Sequence, residues 1–210
     1  MIPIESLTTF VIASVLLALV PGPDNIFVLT QSSVNGHKAG LLVTLGLCTG
    51  LIVHTSAVAL GITAVLKTSY VAFTVLKIAG AMYLLYLAWR AFHASSEEIN
   101  TGQSREVAGI KYYLRGVIMN VTNPKVSIFF LAFLPQFADP SRGPVIQQIF
   151  FLGMIFILVT LLVFGGIALL AGAVGAWLTN TPRAQTIMNR IAGAVFVAMA
   201  LKLVTANINS

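Results

Sequence analysis

Two short stretches hold most of the side chains that could do chemistry. The first is Val20-Pro21-Gly22-Pro23-Asp24-Asn25, preceded by apolar residues from Phe10 and followed by them to Leu29. The second is Asn120-Val-Thr-Asn123-Pro124-Lys125. Each places proline and an ionisable side chain inside apolar sequence. Proline removes a backbone donor and clashes with the carbonyl four residues back, so an α-helix breaks or kinks there. In hydrocarbon the freed backbone groups need partners, and only protein or a wet cavity supplies them. An ionisable group at such depth points to function by default. A structural alternative stands beside this one: Pro21 and Pro23 kink a packing helix, and Asp24 caps its own half-helix.

Both breaks read as helix starts. Asparagine is a good N-cap and proline is preorganised for the first turn, so Asn123-Pro124 opens a half-helix through Phe129-Phe130 towards Pro135-Gln136. Gly22-Pro23 opens another, with Asp24 in its first turn. Helix starts leave unpaired N–H groups and partial positive charge. Two of them near mid-membrane predict a pocket suited to a carboxylate. Asp24 then holds an ammonium or a proton, and Asn25, Asn120 and Asn123 are further candidates for substrate binding or proton coupling. Lys125 either balances the charge or snorkels to the interface.

Three more residues join the candidates. His54 shares a helix face with Gly46, Gly50, Ala57 and Gly61, and small residues at that spacing mark close helix packing. His54 therefore points into the bundle, as a proton relay or as a structural hydrogen bond. Lys77 either snorkels outward or turns its ammonium to the pocket. Tyr83 and Tyr86 are neighbours on one face, and Tyr83 is the expected pocket-liner.

The elements that position these residues are membrane spans. With 210 residues, 58% hydrophobic, 9% charged and a mean hydropathy of +0.94, the chain is a polytopic membrane protein. Its net charge of +6 comes from singly scattered basic residues, which argues for orientation in the bilayer and against nucleic acid. A span needs about 20 apolar residues. Six stretches qualify: Leu7–Thr30, Ala39–Leu66, Tyr70–Phe92, Leu114–Phe137, Ile146–Leu178 and Ala184–Thr205. The fifth is longer than needed, so it is expected to tilt or break near Gly165-Gly166. The first lacks a basic leader and reads as a retained span.

Basic residues set the expected topology. Lys38, Arg90, Arg105, Lys111, Arg115, Arg183 and Arg190 flank the odd-numbered connections, against Lys67, Arg142 and Lys202 on the other side. The positive-inside rule puts the odd loops in the cytoplasm and both termini outside. Trp89 and Trp177 fall at the expected cytoplasmic span ends.

The two halves resemble each other. Lys77-Ile-Ala-Gly-Ala81 matches Arg190-Ile-Ala-Gly-Ala194, and the same shift carries Gly40 onto Gly153. Spans one and four both contain proline breaks. Three spans per half gives the halves opposite orientation, and inverted repeats with matching broken helices mark secondary transporters. The expected fold is all-α: one membrane transporter domain over 1–210, with repeats at about 1–93 and 113–210 around a cytoplasmic loop near 93–112. Small-residue faces would permit a homodimer.

Enzyme chemistry finds little support. No P-loop, Gly-x-Ser-x-Gly elbow or His-Glu-x-x-His motif occurs. The single Cys48 excludes a thiol relay within the chain. No cofactor is called for, and the spans lack a cluster with metal-ligand spacing. The rival readings are a metal-cation or other small-solute exporter, and a non-transporting membrane subunit.

Taken together, the chain resembles the LysE/RhtB family of bacterial amino-acid exporters over nearly its whole length. The likeness runs through Pro21-Gly-Pro-Asp-Asn25, Gly36-His-Lys-Ala-Gly40, Leu45-Gly-Leu-Cys-Thr-Gly50 with His54, and Leu76-Lys77-Ile-Ala-Gly-Ala-Met-Tyr83. It continues through Gly116-x-x-x-Asn120-x-x-Asn123-Pro-Lys125 and Phe133-Leu-Pro-Gln-Phe137. The resemblance implies a six-span inner-membrane exporter of amino acids or close derivatives, driven by the proton-motive force. The family's prominent positions fall on Asp24, Lys77, Asn120, Asn123, Pro124 and Lys125. One departure is Gly36-His-Lys-Ala-Gly40, where relatives often carry two basic residues before the alanine.

Overall fold

The computed structural model describes residues 2–20, 22–68, 70–93, 109–171 and 182–205. Pro21, Arg105, Trp177 and most of the loop 93–112 lie outside them, as do the side chains of Lys67, Lys77, Arg183 and Lys202. Every regular element among the described residues is helical.

Helix α1, Ile4–Leu19, ends where the proline motif begins, and α2, Pro23–Asn35, leaves at 57° to it. Val20 is extended (φ −58°, ψ 121°), as a residue ahead of proline must be. Gly22 is extended too (φ −166°, ψ 178°), a conformation open to any residue. Proline rather than glycine therefore sets this break.

Two long helices follow, α3 at His37–Thr68 and α4 at Tyr70–His93. The second break separates α5, Gly109–Val121, from α6, Pro124–Ile128, and Pro124–Phe137 leaves at 50° to α5. The expected half-helix reaches Phe137, but its winding changes on the way. It widens to a π-helical turn at Phe129–Phe133 and tightens to a 3-10 turn at Leu134–Phe137. Pro135 has no N–H to give the ladder, so regular α winding cannot continue through it.

Helix α7, Val145–Leu169, runs unbroken through Gly165 and Gly166, so of the expected tilt or break the break does not occur there. An interior glycine costs about 1 kcal/mol relative to alanine but keeps its backbone donor. Helix α8 is Pro182–Thr205. Among the described residues, His37–Gly61 and Val145–Leu169 are each long and apolar enough to cross a membrane alone. Each bent pair adds a crossing when counted as one span.

Packing places the breaks at the centre. Helix α3 lies against α5 and α7, α4 pairs with α8, and α1 and α2 rest on α7 and α3. The α3–α5 crossing is close because Gly46 and Gly116 face each other: a Cβ on Gly46 would strike Tyr113 O, and one on Gly116 would strike Val43 O. The apolar interior divides into two clusters. One gathers Phe10, Phe129, Phe130, Phe133, Phe137 and Phe156; the other gathers Val28, Val43, Leu47, Val159, Phe164 and Ala168. Leu60, Met82, Ile118 and Leu162 face outward, a surface a bilayer can cover and water cannot favour.

Candidate functional site

The last carbonyls of a helix have no partner within it. At the end of α1 side chains supply them. Asn25 Nδ2 donates to Ala18 O at 2.6 Å, and Lys125 Nζ donates to Val20 O at 3.0 Å. Lys125 thus neither snorkels nor forms an ion pair with Asp24; it reaches from one break across to the other. At the end of α5, Asn120 O accepts from Asn123 N at 3.0 Å and lies 3.1 Å from His54 Nε2. Of the two readings of His54, this geometry is that of the structural hydrogen bond. Its ring also rests near Phe130, with centroids 5.7 Å apart.

The two helix starts differ. Asn123 caps α6: its Oδ1 accepts from Lys125 N at 3.0 Å, and its carbonyl accepts from Val126 N and Ser127 N. The expectation that both starts face the pocket with unpaired amides is therefore corrected, because Asn123 satisfies that of α6. The start of α2 has no side-chain cap.

Asp24 and Asn120 meet between these ends, and both are buried. Asn120 Nδ2 donates to Asp24 Oδ2 at 3.3 Å. A carboxylate only accepts, so the Asn120 amide must turn its nitrogen to Asp24 and its oxygen away. Gly50 makes this placement possible, since a Cβ there would lie 2.6 Å from Asn120 Oδ1. Asn123 and Lys125 stand close enough to act on the same carboxylate.

A cavity opens at this point, lined by Asp24, Asn25, Asn120, Asn123, Lys125 and, from α7, Thr160. Leu51, Phe156 and Phe164 form apolar wall. Because Phe156 belongs to one apolar cluster and Phe164 to the other, the cavity sits where the two clusters meet. Its volume is about 20 Å³, room for roughly one water. Three buried oxygens, Asp24 Oδ1, Asn120 Oδ1 and Thr160 Oγ, make no hydrogen bond of good geometry with the described residues.

The structure thus brings Asp24, Asn25, Asn120, Asn123 and Lys125 to one cavity, with Gly22 in its lining and Pro23 and Pro124 opening the half-helices behind it. His54 adjoins it through the Asn120 carbonyl without lining it. Tyr83 is a correction. It packs against Tyr86, with centroids 5.8 Å apart, and is absent from the lining; α4 packs mainly on α8 and, more lightly, on the half-helix after the second break. Thr160 was not anticipated. Its signal was available: it is the sole polar side chain between Gln148 and Leu169. No group of three or more potential metal-ligating side chains occurs among the described residues.

Known proteins give a consistent comparison. The family described as LysE type translocator matches residues 15–207. The homoserine/homoserine lactone efflux proteins of Salmonella typhi and Salmonella typhimurium are each 33% identical over 200 residues, 94% of this chain and 95% of theirs. An uncharacterized membrane protein of Vibrio cholerae is 30% identical over 197 residues, 94% of this chain and 95% of its own. No solved structure matches the chain.

Proposed function

The chain belongs to the LysE type translocator family, and from that premise we propose that it exports amino acids or close derivatives across the bacterial inner membrane in exchange for protons. The observation that carries this reading is a buried carboxylate, Asp24, lining a small cavity where two broken helices meet. Neutral amino acids such as homoserine, threonine or leucine are the proposed substrates, and the efflux relatives direct attention to homoserine and its lactone. A dibasic substrate fits less well, since the spans offer no second embedded carboxylate; Glu5 and Asp139 stand at ends.

In the proposed cycle the substrate ammonium contacts ionised Asp24, and its carboxylate rests on the uncapped start of α2. Protonation of Asp24 from outside weakens the ammonium contact and releases the substrate. The proton is carried inward on the return step. Access alternates as one apolar cluster parts while the other stays shut. The packing suits six spans in two inverted repeats: exchanging the halves maps the α3–α7 and α4–α8 pairs onto themselves. The termini are placed outside by the positive-inside rule, and a homodimer is compatible with the small-residue faces.

The test is efflux of preloaded labelled homoserine from vesicles under an imposed pH gradient. Asp24→Asn is expected to slow gradient-driven efflux by about tenfold or more, because a charge-assisted contact is lost. Gradient-driven efflux at the wild-type rate would remove Asp24 from coupling.

A further inference from the structure

A group of cations stands apart from the cavity, at the end of the molecule where α3 and α5 begin. The two helices run parallel there: a Cβ on Gly109 would meet Leu42, and Gly46 lies against Tyr113 and Gly116. Lys38 shares the α3 face of Leu42 and Gly46, so it is carried towards the start of α5. Lys111 and Arg115 lie one turn apart on one flank of α5, and all three cations are exposed. Arg115 is held in place, with its Cζ 5.6 Å from the centre of the Phe27 ring on α2. It is also recessed, about 9 Å along the axis from the start of α5 at Gly109. Beside this flank runs an apolar strip of Ile110, Leu114 and Ile118, all exposed.

A cation recessed among apolar side chains is costly unless an oxygen partner meets it. Lys125 and Arg142 have such partners, the Val20 carbonyl and the Asp139 carboxylate. Among the described residues the side chains of Lys38, Lys111 and Arg115 make no hydrogen bond and pair with no carboxylate. Phe27 engages the Arg115 guanidinium through its ring face, which leaves the N–H donors open.

We infer that Lys38, Lys111 and Arg115 form a seat for the headgroup phosphate of an anionic phospholipid, with an acyl chain laid along Ile110, Leu114 and Ile118. The guanidinium fork matches two phosphate oxygens, and the ammonium groups add point charge. Basic residues between helices at a membrane surface bind such headgroups. A lipid fits better than a soluble phosphate, because the strip beside the cations is apolar and Arg115 is reached from the bilayer side of α5. Three positive charges favour an anionic headgroup over a zwitterionic one, whose own cation they repel. The lipid would rest against α2 at Phe27, three residues after Asp24, and so against the half-helix that carries the buried carboxylate. The seat does not depend on which solute is exported.

The experiment is native mass spectrometry of the full-length protein released from micelles with equal amounts of phosphatidylglycerol and phosphatidylcholine. Wild type is expected to retain phosphatidylglycerol at least about fivefold over phosphatidylcholine, the discrimination that one surface charge supplies. Lys111→Gln and Arg115→Gln are each expected to reduce retention of phosphatidylglycerol by about fivefold, and the double substitution to abolish the preference. Arg115→Lys, which keeps the charge and loses the fork, should fall between wild type and Arg115→Gln. Arg142→Gln removes one charge at the opposite end and should keep the wild-type preference. Equal retention of both lipids by wild type would overturn the seat, as would a double variant that keeps the preference. Arg142→Gln losing as much as Arg115→Gln would overturn it too, since overall charge and not a site would then set retention. Inorganic phosphate displacing phosphatidylglycerol from wild type would make this a soluble-anion site and overturn the assignment to lipid.

Discussion

The first break, between α1 and α2, and the second, between α5 and α6, are built on the same residue order. In each, proline takes the first helical position and an ionisable residue follows it directly: Asp24 after Pro23, Lys125 after Pro124. Their polar groups end differently. At the second break Asn123 caps α6, and the Lys125 ammonium crosses over to hold the Val20 carbonyl. At the first break α2 has no side-chain cap, and one Asp24 oxygen faces the cavity unpaired. The second break caps its own half-helix and braces the first, with Asn120 Oδ1 left unpaired beside it; the first leaves its helix start uncapped and an Asp24 oxygen unpaired where a ligand can complete it. A proline break inside a membrane thus serves for recognition only where its neighbours leave something unpaired.

The sharpest way to test that division is to remove the brace. Lys125→Met deprives the buried Val20 carbonyl of the donor it has among the described residues. A buried acceptor left unsatisfied costs about 1–3 kcal/mol, so the variant is expected to unfold at lower temperature in detergent and to transport poorly. A wild-type midpoint would show that the crossing hydrogen bond does not hold the first break. The corresponding donor at the second break should matter less. Asn120 O keeps Asn123 N when His54 is replaced, so His54→Phe is expected to cost about 1 kcal/mol in the same assay. His54→Gln, which can still donate, should leave the pH dependence of efflux intact; an altered profile would make His54 a proton relay instead.

The smallest effect is expected outside both breaks. Hydrogen bonds from the Ser141 hydroxyl and amide, at 2.6 and 2.8 Å, and from Arg142 Nε at 2.9 Å hold the Asp139 carboxyl below its usual value of 3.8. A carboxylate with a depressed folded pKa stabilises above its unfolded pKa and loses that contribution as pH falls through the folded one. Asp139→Asn should therefore lower the midpoint slightly at neutral pH, with the difference closing in acid below about 4. A difference that persists in acid would mean that the amide perturbs the turn itself.

Much of the frame was legible from residue order. Both breaks and the course of the half-helix to Phe137 follow from apolar runs and proline, which act locally. The Gly46–Gly116 crossing follows in part, since small residues at helical spacing announce a close contact but not its partner. Tyr83 lies outside the cavity lining, and residue order does not say which helix α4 will pack on most. Thr160 was overlooked because a lone threonine in an apolar helix commonly bonds to its own backbone, as Thr55 does to Leu51 O. Gly165-Gly166 suggested a tilt or a break, and α7 does not break there.

Residue order alone determined that this chain is all-helical, spans a membrane and interrupts two of its helices at proline, because those outcomes depend on hydropathy and on a missing backbone donor. Tertiary structure decided which interruption is left open. Whether Asn123 satisfies its own helix, whether Lys125 faces Asp24 or the Val20 carbonyl, and whether Thr160 lines the same cavity as Asp24 all depend on contacts more than 30 residues apart in the chain or on a choice among equally placed local partners. Hydrogen-bond partners are set by three-dimensional proximity.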